Sequence, residues 1–267
     1  MIFMARSMEE NIYGHLKRLF WIINHINQRE VIVELGCGTG YMISLPLAKM
    51  NYSIYGLDVD KDSIAFGQEL FRREGLDPKR LIISDIEKLS ITPDVIIASE
   101  VLEHLDDTEL TTTLRLVRQK LRPGGLLLVT VPNGYGWFEL ESFIWFKIGI
   151  GPFLQRLKIA GLISKLKCLI LGSDIETLYP STLCNSYHLQ RFTYHSIRKL
   201  LENNGFEAMG SKGSVLFAGP FSNLFFTGIK PVMKLNCILG HWFPTFASGF
   251  YISCRAPCKN EINKEKD

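Results

Sequence analysis

The sequence has six cysteines, Cys37, Cys168, Cys184, Cys237, Cys254 and Cys258, and no regular spacing among them. That excludes a disulfide framework and predicts reduced thiols in a cytoplasmic protein. Cys254 and Cys258 offer two soft ligands without two more, so no metal is assigned to them. The stretch Met1 to Glu10 lacks an apolar core and carries Arg6, Glu9 and Glu10, so no signal peptide is expected. There are no internal repeats. Between Ser142 and Ser173 there is no acidic residue, but Lys147, Arg156, Lys158, Lys165 and Lys167 interrupt the apolar run there. Those cations exclude a bilayer span. Pro231, Lys230 and Lys234 argue against one in 221–243 as well, and leave an interfacial helix open.

What is present suits one large α/β domain with an insertion: 267 residues, 46% of them hydrophobic. The net charge of +3 hides an asymmetry. Residues 1–133 carry 15 basic and 18 acidic residues, and residues 134–267 carry 15 and 9. The second half is thus basic as well as apolar, which suits an acidic or lipid-like partner or a set of solvated lysines.

The stretch 31–40, VIVELGCGTG, organises the chain. It reads as a buried strand running into a turn with Gly36, Gly38 and Gly40. Glycine admits positive φ and lets the backbone approach a nucleotide-like ligand. A dinucleotide fingerprint needs glycine at 41, where Tyr41 stands. Before this strand, Ile12, Leu16, Leu19, Phe20, Ile23 and Ile26 predict an amphipathic helix. After the turn a helix is expected to about Met50, with Pro46 beyond its first turn and costing a hydrogen bond.

Residues 53–58 form the next expected strand, ending in Asp58. An acid there, about twenty residues past the glycines, can take both ribose hydroxyls. The competing role is a helix N-cap, open also to Asp60 or Asp62. A helix with Ile64, Leu70 and Phe71 inward ends at Gly75, and a third short strand from Leu81 precedes Asp85 and Ile86. Asp94 to Ala98 reads as a central strand, followed by Ser99, Glu100, Val101, Leu102, Glu103 and His104. On a helix Glu100 and His104 would share a face. Asp106 or Asp107 caps a helix carrying Leu110, Leu114, Val117 and Leu121. Leu126 to Val131 is a fifth strand, ending at Pro132, Asn133 and Gly134.

The turn with Glu34 before it, and the stretch after the fourth strand, resemble motifs of class I S-adenosylmethionine-dependent methyltransferases of the small-molecule type. The motif likeness covers roughly 31–131, and a looser pattern covers 188–254. The resemblance implies a Rossmann-like seven-stranded, mostly parallel sheet with helices on both faces, here with a helical cap insertion. It implies S-adenosyl-L-methionine as cofactor. Glu34, Gly36, Gly38 and Gly40 would hold its methionine end, Asp58 its ribose, Asp85 and Ile86 its adenine, and Cys37, Val59 and Glu100 would also contact the cofactor. The expected divisions are 1–30 for the N-terminal helix, 31–134 for the cofactor core, 135–190 for the cap, 191–256 for completion of the sheet and 257–267 for a tail. The tail is charged and expected to be disordered.

For Glu100, Glu103 and His104 three readings stand. His104 is a general base; or the three hold a divalent cation, as in some quinone-precursor and RNA-end methyltransferases with a Glu-x-x-Glu-His pattern; or they tie loops together. His188, ahead of a helix capped by Thr193 and closed by Gly205, either lines the acceptor pocket as the family's pattern implies or is polar surface. The insertion reads as an amphipathic lid over the acceptor, as a peripheral membrane surface, or as added core. The acceptor implied is a small, apolar or lipid-like molecule, with O-methylation favoured. The base-modifying motif of nucleic-acid relatives is absent after strand four, so no nucleic acid is expected. A dinucleotide oxidoreductase and a non-catalytic membrane-surface protein are the other classes the residues leave open.

Overall fold

Short apolar runs separated by capped helices favour a parallel sheet buried on both faces, and the computed structural model has one. It describes residues 11–171, 180–184 and 187–257. The expectations for Met1–Glu10, Cys258 and the charged tail lie outside the described residues. Seven strands, β1 (Val31–Leu35), β2 (Ser53–Asp58), β3 (Leu81–Ile83), β4 (Val95–Ser99), β5 (Leu126–Pro132), β6 (Glu207–Gly213) and β7 (Gly249–Arg255), lie in the order β3-β2-β1-β4-β5-β7-β6. The pairings β1 with β2, β1 with β4, β2 with β3 and β4 with β5 are parallel. Every residue of β4 is buried, which is why this run carries no alternation of polar residues.

The helices are α1 (His15–Ile23), α2 (Ser44–Lys49), α3 (Lys61–Arg73), α4 (Asp107–Lys120), α5 (Trp137–Ser142), α6 (Ile150–Arg156), α7 (Ile159–Leu171), α8 (Tyr194–Asn203), α9 (Pro220–Phe226) and α10 (Lys230–Trp242). Two differ from the sequence reading. In the N-terminal segment Leu19, Ile22 and Ile26 are buried with Ile12, and Phe20 is exposed. The inward stripe therefore runs through Ile22 rather than Phe20. The helix after the glycine turn starts only at Ser44, so Pro46 sits in its first turn. There its missing N–H has no partner to lose, and the expected cost disappears.

The chain divides into two units. One, of residues 22–131, 179–211 and 251–267, holds most of the sheet and α2, α3, α4 and α8. Its helices start and stop where their side chains dictate. The Asp60 carboxylate caps α3 by accepting from Ser63 N–H at 3.0 Å. Asp106 and Glu109 form a capping box on α4, and Thr193 caps α8. Glycines Gly75 and Gly205 follow α3 and α8 at positive φ.

The other unit, residues 1–21, 132–178 and 212–250, holds α5, α6, α7, α9 and α10. It has a polar skeleton inside an apolar shell. Buried Glu141 accepts from Trp137 Nε1 at 2.5 Å, from Ser222 N–H at 2.8 Å and from the Ser222 hydroxyl. Trp145 packs edge-on against Phe221. Lys17 donates to the carbonyls of Gly213, Ser214 and Cys237. His15 is half-buried beside Arg18, and desolvation first, the Arg18 charge second, lower its pKa to about 3. Asn11 Nδ2 donates to its Nδ1 at 3.0 Å, which suits a neutral ring.

This gives a pH prediction. Below the ordinary histidine pKa of about 6.5 the unfolded chain takes up a proton that folded His15 refuses. Stability is therefore expected to fall as pH drops from about 6.5 toward 3, by up to about 1.4 kcal/mol per pH unit from this group. Urea melts at stepped pH measure it, and His15→Gln should flatten the slope over that window. An unchanged slope in the variant would rule out His15 as its source.

Candidate functional site

The site in the sheet unit is assembled at the carboxyl ends of β1, β2, β4 and β5, where an open parallel sheet leaves a crevice. Strand β1 ends in the turn 36–40, with φ of +65° at Gly36, +55° at Gly38 and +70° at Gly40. A side chain at 36 would run into Val101. The turn is pinned from both sides. Cys37 N–H donates to Leu57 O at 3.0 Å, and Gly38 N–H donates to the Asp58 carboxylate at 2.7 Å. Buried Glu34 accepts from the Ser44 hydroxyl at 2.5 Å. Gly67 in α3 lets the helix pass close to the Thr39 carbonyl, where a Cβ would clash. It is an instance of a glycine kept in a helix for a close approach.

Asp58 is not the helix cap, since Asp60 fills that role. Its two oxygens accept from Gly38 N–H and, at 2.8 Å, from Asp60 N–H. The acid at the end of β2 is thereby joined to the glycine turn at the end of β1. Asp58→Ala should weaken a nucleoside ligand by about 1.5–3 kcal/mol, the range for hydrogen bonds to a charged group. Asp60→Ala should instead lower stability by about 1 kcal/mol, the cost of a lost cap, with ligand affinity unchanged. Calorimetry and thermal melting on the pair separate the roles, and normal affinity in Asp58→Ala would remove this residue from the site.

Cys37 lies buried in the turn. Burial, then the charges of Glu34 and Asp58, push its thiol well above the ordinary range, so it is protonated and no nucleophile. Val59 is exposed and Ile86 buried. The Asp85 carboxylate is engaged by Lys88, whose Nζ lies 2.9 Å away, and that hydrogen bond holds it below the usual carboxylate range.

A segment the sequence left in the insertion meets the turn. Thr39 N–H donates to Ser181 O at 2.9 Å, and the Thr39 hydroxyl donates to Pro180 O at 2.7 Å. Leu183 N–H donates to the Ser63 hydroxyl at 2.8 Å. A Cβ on Gly38 would strike the Ser181 carbonyl. No sequence signal marked Pro180 to Leu183, because their contacts are mostly through backbone groups.

At the end of β4 the chain does not continue as an α-helix. Glu100 takes φ of +55°, and a single 3₁₀ turn covers Leu102–His104. Glu100 and His104 therefore share no helix face. Glu100 instead points to β5: its N–H donates to Thr130 O at 2.8 Å, and its carboxylate accepts from the Thr130 hydroxyl at 3.0 Å. A non-glycine residue at positive φ is uncommon, and such backbone tends to occur at functional sites.

The partner His104 does find is His188, 84 positions away and invisible to any local spacing. Glu103 O accepts from Leu189 N–H at 2.8 Å and Gln190 N–H at 2.9 Å, which fixes the His188 segment beside the turn. The two rings stand edge to face with centroids 5.0 Å apart. His104 Nδ1 lies 3.1 Å from Tyr187 O, and a carbonyl only accepts, so Nδ1 carries the proton. Nε2 lies 3.9 Å from the carboxylate of buried Glu103. Ligand atoms of Glu103, His104 and His188 all lie within 4.8 Å of one another. Chemically the arrangement offers a base held in one tautomer, or three donors for a cation.

Comparison with known proteins bears on this site. The family described as Methyltransferase domain matches residues 4–209. The ubiquinone biosynthesis O-methyltransferase of Rhizobium etli is 31% identical over 106 residues, 38% of this chain and 41% of that protein. The malonyl-[acyl-carrier protein] O-methyltransferase of Priestia megaterium is 33% identical over 122 residues, 45% of this chain and 43% of that one. The matched stretches thus span less than half the length of these relatives. Among solved structures, a SAM-dependent methyltransferase from Methanosarcina mazei has a TM-score of 0.55 at 20% identity, covering 90% of this chain and 98% of its own. The magnesium protoporphyrin IX methyltransferase of Synechocystis with bound SAH has a TM-score of 0.53 at 16% identity, covering 91% and 82%. At these identities the structures establish the fold.

Proposed function

The chain belongs to the methyltransferase-domain family, and on that footing we propose that it is a class I S-adenosyl-L-methionine-dependent O-methyltransferase acting on a small, apolar or lipid-like acceptor. The observation that carries the reading is the joint between Gly38 N–H and the Asp58 carboxylate. It brings a glycine cradle and a ribose-type acid to one crevice. The dinucleotide alternative loses its footing with the family.

When bound, S-adenosyl-L-methionine supplies a sulfonium methyl for in-line displacement by the acceptor oxygen. The chain's own part is positioning and proton removal. Glu34, Gly36, Cys37, Gly38 and Gly40 shape the bed for the methionine end. Asp58, with Val59, receives the ribose, and Asp85 with Ile86 receives the adenine. Glu100, held on Thr130, borders the reacting end. His104 accepts the acceptor's proton at Nε2, since Nδ1 is committed to Tyr187 O. His188 lines the acceptor side of that ring.

A second reading of the same residues is favoured by the spacing of Glu103, His104 and His188. They fit a divalent cation as a carboxylate and two imidazoles, with the Tyr187 carbonyl orienting one ring. For localisation, no helix among the described residues is long and apolar enough to cross a membrane. We place the acceptor at a membrane surface met by the insertion at about 140–172, whose cations and aromatics support peripheral contact.

The mass of the ligand that co-purifies with the protein tests the class. S-adenosylhomocysteine is the expected result, and NAD would overturn it.

A further inference from the structure

The scarcity of acids in the helical unit extends well beyond the insertion. No Asp or Glu occurs between Glu207 and Glu261. Across the described residues of this unit ten basic residues stand against two acids, Glu139 and Glu141, and Glu141 is buried and hydrogen-bonded. Its surface is also apolar in two places. On the insertion Phe146, Phe153 and Leu162 are exposed, Phe146 by 68%. On the C-terminal segment Leu235, Trp242 and Phe246 are exposed, Trp242 by 69% and Phe246 by 70%.

These two limbs are fastened to each other within the unit. Lys167 Nζ donates to the carbonyls of Asn223 at 3.3 Å and Leu224 at 2.8 Å, beside the end of α9. Trp145 of the insertion stacks edge-on against Phe221 of α9. We infer that the insertion and the α9–α10 segment through Phe246 together form one docking surface for an anionic lipid bilayer. The inference extends, and rests on, the membrane contact proposed for the insertion.

The occupant follows from charge and shape. Exposed Trp and Phe beside Lys and Arg, with no acid, is the composition of elements that lie in a headgroup layer. At 13 residues α10 spans about 20 Å, short of a hydrocarbon core of about 30 Å, so it lies on the surface and does not cross. Lys158, Lys165, Lys230 and Lys234 supply cations from both limbs.

The test uses the full chain with vesicles of phosphatidylglycerol and phosphatidylcholine, and phosphatidylcholine vesicles as the neutral comparison. Wild type should sediment with the anionic vesicles at low salt and release at high salt. Two variants separate the limbs. Lys158→Glu with Lys165→Glu should weaken vesicle binding at least tenfold. Lys167 is left alone because it fastens α7 to α9. Trp242→Ser with Phe246→Ser should also weaken binding at least tenfold, with melting temperature and vesicle-free cofactor affinity unchanged.

Wild-type binding by the Trp242/Phe246 variant would overturn the two-limbed surface and leave the insertion as the contact. Failure of wild type to bind either vesicle overturns both membrane readings. The methyltransferase reading is judged apart, by cofactor affinity without vesicles. Lipid-free self-association that the Trp242/Phe246 variant abolishes, with no vesicle binding, would assign the face to a second copy of the chain and overturn the proposal.

Discussion

Gly38→Val is expected to leave no measurable S-adenosylmethionine binding. At φ +55° a branched side chain pays about 1–2 kcal/mol for the left-handed backbone. Its Cβ also runs into the Ser181 carbonyl, so the turn or the 180–183 segment must move. Either movement disturbs Gly38 N–H, the donor that Asp58 accepts at 2.7 Å. The core strands β1 and β4 are untouched, so folding should survive with a lower melting temperature. For a chain of this size the shift is a few degrees per kcal/mol. Calorimetry and melting on the same sample measure both effects. Thr39→Val is the control: it removes the hydroxyl bond to Pro180 without filling the cradle, and should retain affinity. If Gly38→Val binds as tightly as wild type, the turn does not touch the cofactor.

His104→Ala should lower turnover about 10²- to 10⁴-fold, the usual contribution of a positioned base, with cofactor affinity unchanged. The geometry sets this expectation. Nδ1 is held by Tyr187 O, which leaves Nε2 to take a proton. His104→Gln keeps a polar side chain but not the basicity, so it should not rescue. S-adenosylhomocysteine release with an apolar phenol as acceptor is the readout. Chelation discriminates the second reading: if Glu103, His104 and His188 hold a cation, chelator silences wild type and a divalent ion suited to imidazole ligands, such as Zn²⁺, restores it. Activity that persists through chelation and is lost in the variant leaves the base. Full activity in both leaves the cluster as a tie between the 3₁₀ turn and the 187–190 segment.

The order of elements and the caps were legible in the sequence because they are local. Buried runs such as Leu126 to Val131 read as parallel strands, and the glycines at 36, 38 and 40 marked a turn that only positive φ explains. An aspartate at 106 or 107 before α4, and Thr193 before α8, announced helix starts, and the structure chose Asp106 with Glu109 as its capping partner. The charge asymmetry and the acid-free run between Ser142 and Ser173 were likewise visible by reading along the chain.

Other features were decided only in three dimensions. The choice between Asp58 and Asp60 as cap depended on which carboxylate reached Ser63 N–H. The backbone reversal at Glu100 dissolved the face that Glu100 and His104 would have shared on a helix. Tertiary packing also joined His188 to His104, fastened Pro180 and Ser181 to Thr39, and bonded the insertion to α9 through Lys167. Periodicity and capping constrain residues a few positions apart. Pairs separated by 84 or 141 positions are set by how the chain closes its loops, and no local pattern encodes that closure.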